Sequence, residues 1–500
     1  MVSRVIFFIL FPIFYCFFNN DALLTYPCLL SLTSIIIVTF LFWFVVKKIL
    51  RSNEKSVIVL YFLGMFFWLI LPVSKIFKSY LLKHVIVLQF LKNNLAILWV
   101  FIILFFLYVI RSSKNIKYKK INRFFEIFTV IFAVILVLNI PKKILMDNRY
   151  FSNVGLAQKQ VADPQRRPNI YHILLDAHSS NYVLKKYYNF DNNEFYQNLR
   201  NKGFSMIEPS FSQYPATQMS VASMLNLEYL PASGISATDL EFLRFNNKVF
   251  STFRENGYRV HVFDRTLQIS YGKQFKKANN SNYALYWLWI QHTPLKWLFQ
   301  RLFQKEMCLD HSNNIELDLQ ELELAKKKFG SYNNLFYAHI VCPHAPFIYK
   351  EDGVLDVSQG LIGVFTNTRG ALAENNEHLK SLKQKYLSTL KIIDRKILKL
   401  VQAVLSQYEE NEKPIIILHS DHGTCLTTIS PLVFDFRKLL PQQLNAEQEQ
   451  LYGNLLTIYC PNSWQPEKVP LSLVNLYRFV FNNLFNEKYE YLENFCCIKD

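Results

Sequence analysis

The stretch PIIILHSDHG, Pro414–Gly423, decides how this sequence folds. Its four consecutive aliphatic residues, Ile415–Leu418, make an apolar run of strand length. Such a run is typical of a strand that is buried on both faces of a parallel sheet. Asp421 and His422 follow within a few residues, and in open α/β sheets ligands bind beyond the carboxyl ends of the strands. The stretch therefore predicts an α/β fold with a functional site after this strand.

Three further segments have the same character. NIYHILLDA carries an apolar run that ends in Asp176, YRVHVFD ends in Asp264, and LFYAHIVCPH ends in His344. Strand–helix alternation of this kind predicts one α/β domain, residues 169–500, with a mainly parallel sheet and helices on both faces. Apolar residues at helical spacing predict the intervening helices over Asn192–Lys202, Thr217–Leu230 and Glu374–Tyr408.

The first third of the chain is rich in long apolar runs. Most of them approach the roughly 20 residues that cross a bilayer as a helix. We therefore expect about five transmembrane helices in residues 1–147, followed by a polar linker over 148–168. The first run is short and is alternatively a signal sequence, although no small-residue cleavage site follows it. The runs are Val5–Phe18, Leu29–Val46, Val57–Val73, Leu95–Ile110 and Phe124–Ile140.

The net charge of +17 is concentrated in this membrane part. Residues 1–164 hold 19 Lys and Arg against 5 Asp and Glu, a net charge of +14. The excess lies between apolar runs, mainly in the second and fourth loops, which predicts a cytoplasmic N-terminus and argues against a nucleic-acid partner. An odd number of crossings then places the globular domain on the periplasmic or extracellular side of the cytoplasmic (inner) membrane. Four crossings would leave it in the cytoplasm.

Metal-competent side chains follow three of the predicted strands: Asp176, His344, and Asp421 with His422. Asp176, Asp421 and His422 would meet at one edge of a parallel sheet, and two carboxylates with an imidazole suit a Zn²⁺ or Mn²⁺ ion. A single Asp after a strand is more often a turn or helix-cap residue. The shared position of these three residues nevertheless favours a metal site.

A candidate nucleophile lies in SQYPATQMSVASML, Ser212–Leu225. Thr217 opens the predicted helix after Pro215, where the positive end of the helix dipole favours an anion. A nearby divalent cation would lower the pKa of its hydroxyl group further. The alternative, on local sequence alone, is an ordinary N-cap threonine.

The order of these segments resembles the sulfatase-like branch of the alkaline phosphatase superfamily. TQMSVASM is similar to the helix that carries the threonine nucleophile of membrane-anchored phosphoethanolamine and phosphoglycerol transferases. SDHG is similar to their metal-binding Asp-His, and CPHAPF to a segment with a histidine near the transferred phosphate. The resemblance implies that one divalent metal is held by Asp176, Thr217, Asp421 and His422. It also implies that Thr217 forms a phospho-threonine and that His344 binds phosphoryl oxygens or protonates the leaving group.

The same resemblance implies the partners. A membrane phospholipid would donate its phosphoryl-linked head group, and an envelope glycan or glycolipid would accept it. Two alternatives stay open: a sulfatase-like hydrolase of phosphate or sulfate esters, and a catalytically inactive membrane scaffold.

The sequence also departs from this group of proteins. It has no C/S-x-P-x-R motif, which argues against formylglycine sulfatase chemistry, and His419 is the one candidate for a second metal. The transferases usually have another histidine downstream of Asp-His-Gly, and here the corresponding YGNLLTIYCP has none. Asp310–His311 follows a polar stretch rather than a strand and is interpreted as part of a loop. The eight cysteines show no CxxC spacing and are expected to be mostly free and buried.

Overall fold

The computed structural model describes residues 166–231, 237–264, 304–356, 376–426 and 436–499, together with isolated residues elsewhere, mainly within 44–59 and 120–134. All five of these long segments belong to one compact unit, which spans 148–266 and 304–500.

The strands of this unit carry the apolar runs that the sequence analysis singled out. Every residue of β1, β4 and β5 is buried, because these strands lie inside the sheet and have helices on both sides. The strands in the described segments are β1 (Ile170–Leu175), β2 (Ser205–Met206), β3 (Arg259–Asp264), β4 (Asn334–Ile340), β5 (Ile415–His419), β6 (Phe436–Leu439), β7 (Leu456–Tyr459) and β8 (Cys496–Lys499).

Six strands form one sheet in the order β2-β7-β5-β1-β4-β3. β1 pairs in parallel with β4 on one side and with β5 on the other, and β3 continues the parallel set beyond β4. β7 runs antiparallel to both β5 and β2. β6 and β8 form a separate antiparallel pair. The predicted mainly parallel sheet is confirmed, and the four predicted strands are β1, β3, β4 and β5.

The predicted helices are also present. One of them is shorter than expected: α3 ends at Asn226 because Leu227 adopts a left-handed conformation, with φ 61°, that closes the helix. The helices in the described segments are α1 (Asn181–Tyr188), α2 (Asn193–Asn201), α3 (Thr217–Asn226), α4 (Ala237–Phe245), α5 (Lys248–Glu255), α6 (Gln304–Glu323), α7 (Ala325–Phe329), α8 (Asn376–Leu405), α9 (Ala446–Tyr452) and α10 (Leu473–Leu484).

Alternate residues of the central strands pack in two separate hydrophobic cores, one on each face of the sheet. Ile173 and Leu175 of β1 pack in a cluster with residues of α2, α6 and α8. Ile170 and Leu174 pack on the opposite face with residues of α3, α5 and α10. The period of two along a strand produces this division. The prediction of helices on both faces is confirmed.

The predicted transmembrane runs lie outside the described residues, apart from isolated positions such as Val46 and Val130. In the part of the chain that the structure describes, no helix combines the length and the apolarity needed to cross a membrane. The cysteines within the described segments are all free, and all but Cys460 are buried, as expected.

The central strands also bury a chain of polar rings. His172 of β1 lies 2.5 Å through Nδ1 from the Tyr477 hydroxyl and 2.6 Å through Nε2 from Nε2 of His419 on β5. The other ring nitrogen of His419 donates to the carbonyl of Ser420, at 3.0 Å. When both imidazoles are neutral, each of these three contacts holds one proton, so every ring nitrogen either donates or accepts one hydrogen bond. His419 therefore points into the core and away from the carboxyl edge, so it is not a ligand for a second metal there.

Acid should destabilise the fold because the buried pair His172 and His419 resists protonation. Burial lowers the pKa of His419 to about 4 and that of His172 well below its ordinary value. Because each histidine takes up its proton more readily when unfolded, stability is fully present above pH 6.5 and is lost as the pH falls below that value. The slope is about 1.4 kcal/mol per pH unit for each histidine.

We expect His172→Gln to make the protein less stable at pH 7 but less sensitive to acid. The variant removes one of the two buried groups that must stay neutral. Melting temperatures of the full chain in detergent, measured from pH 7.5 to pH 4.5, test this expectation. Parallel curves for the wild type and the variant would contradict it.

Candidate active site and metal centre

Asp176 is the first residue after β1, and backbone hydrogen bonds hold it at the carboxyl edge of the sheet. Its N–H donates to the carbonyl of Ile340 at 3.0 Å, and its own carbonyl accepts from the N–H of His344 at 2.9 Å. β1 and β4 end together, with Leu175 opposite Ile340. These bonds therefore continue the pairing past both strands and place the two loops side by side.

Asp421 and His422 come from the loop after β5, the other neighbour of β1. The Oδ1 atom of Asp421 accepts from the N–H of Ala177 at 3.1 Å. The Nδ1 atom of His422 lies 2.7 Å from the carbonyl of Gly423. Since a carbonyl only accepts, Nδ1 carries the proton, and a neutral imidazole then presents a lone pair at Nε2.

Two carboxylate oxygens converge on Nε2 of His422, and their charges raise the pKa of that imidazole against the effect of burial. Nε2 of His422 lies 3.7 Å from Oδ1 of Asp176 and 3.5 Å from Oδ2 of Asp421. Both oxygens are buried, and neither has a hydrogen-bond partner in the described structure. The candidate ligand atoms all lie within 4.8 Å of one another. Buried polar atoms are normally paired, and acceptors of like character repel unless a cation lies between them. The arrangement fits a divalent ion, and two carboxylates with one imidazole suit zinc or manganese.

A second layer of buried charges supports Asp176. His339 of β4 lies 3.2 Å from Oδ2 of Asp176 through Nε2 and 3.2 Å from Oδ2 of Asp264 through Nδ1. Arg244 lies 3.4 Å from the same Asp264 oxygen. Burial opposes a charge on His339, but the two carboxylates raise its pKa to about 10.

The Asp176 carboxyl group is consequently ionised at neutral pH. Burial alone would raise its pKa, but His344, His339 and His422 together hold the pKa well below its usual range. One carboxylate oxygen faces His339 and is fixed by it. The other oxygen faces His422 and has no hydrogen-bond partner in the described segments.

Gly423 is needed for close approach of the backbone. A Cβ atom at this position would lie 2.3 Å from the carbonyl oxygen of Gln450 and 2.5 Å from that of Gly453. The Gly423 N–H donates to the carbonyl of Leu451 at 2.8 Å. The loop that carries the Asp-His pair is therefore packed directly on the end of α9, where no side chain fits.

Thr217 is the first residue of α3, and Ala216 is the cap residue. The alternative of an N-cap threonine is therefore wrong. The segment before α3 is tied to the loop that supports Gly423: the Ser212 N–H donates to the carbonyl of Tyr452 at 2.7 Å, and Phe211 bridges to Gly453. The C-terminal strand holds it from another side, because the Cys497 N–H donates to the carbonyl of Gln213 at 2.8 Å.

His344 stands beside this cluster. The rings of His344 and His422 are 6.5 Å apart between centroids, and Nδ1 of His344 lies 2.7 Å from the carbonyl of Ala345. The loop interpretation of Asp310–His311 is wrong, because both residues lie inside α6. Burial, followed by the charge of His344, lowers the pKa of His311 to about 4.

Comparisons with known proteins give fold neighbours at low identity. No protein-family model and no curated protein matches this chain. The integral membrane protein lipooligosaccharide phosphoethanolamine transferase A (EptA) from Neisseria meningitidis is 12% identical, over 90% of this chain and 89% of that one, with a TM-score of 0.37. The zinc complex of the C-terminal periplasmic domain of EcEptC from Escherichia coli is 11% identical, over 64% of this chain and 82% of that one, with a TM-score of 0.34.

A third neighbour is a putative sulfatase from Bacteroides thetaiotaomicron. It is 11% identical, over 66% of this chain and 76% of that one, with a TM-score of 0.38.

We expect Asp421→Asn to weaken zinc binding by the full-length protein at least tenfold. The change keeps the size of the side chain but removes the charge and places an amide beside two other ligands. Titration calorimetry on metal-stripped protein measures the effect. Asp352→Asn, at an exposed turn of the same unit, is the matched control and should leave zinc affinity unchanged. Equal affinities in both variants would remove Asp421 from the site.

Proposed function

We propose that this chain is a membrane-bound, divalent-metal-dependent transferase of the sulfatase-like branch of the alkaline phosphatase superfamily. It would move a phosphoryl-linked head group, phosphoethanolamine or phosphoglycerol, from a phospholipid to a cell-surface glycan or lipid. The intermediate would be a phospho-threonine at Thr217.

The observation that carries this proposal is the grouping of His422 with two buried carboxylate oxygens, one each on Asp176 and Asp421, that have no hydrogen-bond partner in the described segments. An uncompensated cluster of this kind is costly, and a site that binds a cation is the ordinary reason for it. Hydrogen bonds tie the segment that leads to Thr217 to the backbone beside this cluster. His344, whose ring lies near that of His422, adds a group that is able to hold or move a proton.

The bound cation would lower the pKa of a nearby hydroxyl group and neutralise charge on the phosphoryl oxygens. In the first half-reaction the Thr217 hydroxyl loses its proton to solvent, and Oγ1 attacks the phosphorus. The bond between phosphorus and the diacylglycerol oxygen breaks, and His344 gives a proton to that oxygen. Diacylglycerol leaves, and the head group stays on Thr217.

The second half-reaction reverses these roles. A hydroxyl group of the acceptor loses its proton to His344, and its oxygen attacks the phosphorus. The bond to Oγ1 breaks, and Thr217 regains a proton from solvent. If water took the place of the acceptor, the same residues would perform hydrolysis. Analysis of the products from a labelled phospholipid distinguishes a transferase from a hydrolase.

A lipid donor requires the site to work at a membrane. The apolar runs of residues 1–147 and the basic loops between them support anchoring in the cytoplasmic membrane, with the catalytic domain on the periplasmic or extracellular side. The charge excess lies beside those runs, and nothing in its distribution favours a nucleic-acid partner.

We expect Thr217→Ala to abolish release of diacylglycerol from phosphatidylethanolamine or phosphatidylglycerol by the full-length protein in detergent. Mass spectrometry of the wild type should show the head group attached to the peptide that contains Thr217. The variant should show no adduct, because the attacking oxygen is gone, while calorimetry should still detect zinc binding.

Thr217→Ser is the matched control, since it keeps the hydroxyl group, and it should retain measurable turnover and form the adduct on serine. Full activity of Thr217→Ala would refute the proposed nucleophile. A wild-type protein that binds zinc but releases diacylglycerol from neither phospholipid would refute the transferase.

A further inference from the structure

Tyr386 of α8 places its hydroxyl group against the loop that follows β1. The side chain is fully buried. Its oxygen accepts from the Ser179 N–H at 3.0 Å, donates to the Ala177 carbonyl at 3.1 Å and lies 3.1 Å from Oγ of Ser179. Burial raises the pKa of Tyr386 to about 12, so the group keeps its proton at neutral pH. One phenol group therefore joins the two residues on either side of His178, directly after Asp176.

Ala177 has an unusual backbone conformation. Its φ of 62° lies in the left-handed region, which a residue with a Cβ atom rarely adopts. In this conformation its N–H donates to Oδ1 of Asp421 at 3.1 Å. Strained backbone of this kind persists where the surrounding structure fixes it. Two hydroxyl groups do so here, because the Ala177 carbonyl accepts from Oγ1 of Thr424 at 2.7 Å and from Tyr386. The hydrogen bonds of Ala177 thus connect Tyr386 to the Asp421 carboxylate.

The same network reaches the other two loops at this edge of the sheet. The Thr424 N–H donates to Oγ of Ser179 at 3.1 Å, so the loop that carries the Asp-His pair is tied to an oxygen that Tyr386 contacts. The ring of Tyr386 packs edge-on against Phe347 at 5.6 Å between centroids. Phe347 belongs to the loop after β4, which also carries His344. One side chain of α8 therefore bears on all three loops of the candidate site.

Tyr408 shows a buried tyrosine hydroxyl group that serves the fold alone. It follows the other end of α8, accepts from Nδ2 of Asn169 at 2.8 Å and lies 3.0 Å from the Tyr171 hydroxyl group. These partners lie at the start of β1, and the length of that strand separates them from Asp176. Tyr386 and Tyr408 are thus two buried hydroxyl groups at opposite edges of one sheet.

We propose that Tyr386 is a positioning residue of the metal centre. Its hydroxyl group holds the loops of Asp176 and Asp421 at the spacing that a divalent ion needs, and it touches neither the ion nor the substrate. The inference rests on the proposed function and adds to it a residue of α8, a helix in which the sequence analysis placed no site residue.

The test compares Tyr386→Phe with Tyr408→Phe, because each change removes one buried hydroxyl group and keeps the ring. Ser179→Ala is a third variant, since it removes the oxygen that lies between Tyr386 and Thr424. All are full-length proteins in detergent, stripped of metal. For each variant and the wild type we measure amide hydrogen exchange by mass spectrometry, the melting temperature, and the affinity for zinc by titration calorimetry.

Both phenylalanine variants should melt at similarly reduced temperatures, because each leaves buried polar groups without a partner. Tyr386→Phe alone of the two should speed amide exchange in peptides that cover 176–180 and 421–425, by about tenfold, as for loss of one buried hydrogen bond. Its zinc affinity should fall about tenfold, the lower end of the effect of groups that orient metal ligands. Tyr408→Phe should bind zinc as the wild type does. Ser179→Ala should speed exchange in 421–425.

Equal exchange rates and equal zinc affinities in Tyr386→Phe and Tyr408→Phe would overturn the inference and leave Tyr386 with a structural role only. If Tyr386→Phe does not fold, Ser179→Ala decides, and unchanged exchange in 421–425 would then refute the link between the loops. Failure of the proposed function is seen separately in the wild type, which would form no adduct at Thr217. The exchange rates of the metal-free proteins decide the role of Tyr386 in either case.

Discussion

The burial of two carboxylate oxygens without hydrogen-bond donors is the constraint on which the rest of the site depends. These oxygens, one each on Asp176 and Asp421, have no hydrogen-bond partner among the described residues, and both face Nε2 of His422. The two carboxylates raise the pKa of His422 against the effect of burial. Buried charges of this kind persist only when something compensates for them, and a divalent cation would do so with the ligand types present. The surrounding structure keeps the two carboxylates together against their repulsion.

The sheet provides that restraint. β1 lies between β4 and β5, and all three run parallel, so the loops that carry Asp176, His344 and the Asp-His pair leave the same edge. Behind them, His339 holds the second oxygen of Asp176 and is itself held by Asp264. Close backbone contact at Gly423 fixes the remaining loop. The candidate ligands Asp176, Asp421 and His422 are thus positioned by backbone contacts or by buried ion pairs.

The parts of this arrangement that could be predicted from sequence are those encoded locally. Nearly continuous apolar runs predicted β1, β4 and β5, because strands covered by helices on both faces consist mainly of apolar residues. Residues directly after parallel strands share an edge whatever the loop lengths, and this made Asp176, Asp421 and His422 predictable as neighbours.

Other parts of the site depend on tertiary packing, and the local sequence around them did not predict them. In the sequence His339 is an ordinary residue of a predicted strand. Its contact with both carboxylates follows from the strand order, which places Asp176 and Asp264 on either side of it. The reason for Gly423 is a close approach of α9, some thirty residues later in the sequence. The predicted membrane helices lie outside the described residues and stay predictions.

The most direct test of the central claim is anomalous diffraction at the zinc absorption edge from crystals of the zinc-loaded protein. A single strong peak is expected about 2 Å from Oδ1 of Asp176, Oδ2 of Asp421 and Nε2 of His422, with the Thr217 hydroxyl oxygen at a similar distance. A peak located elsewhere, or a Thr217 oxygen directed away from a correctly placed ion, would contradict the account.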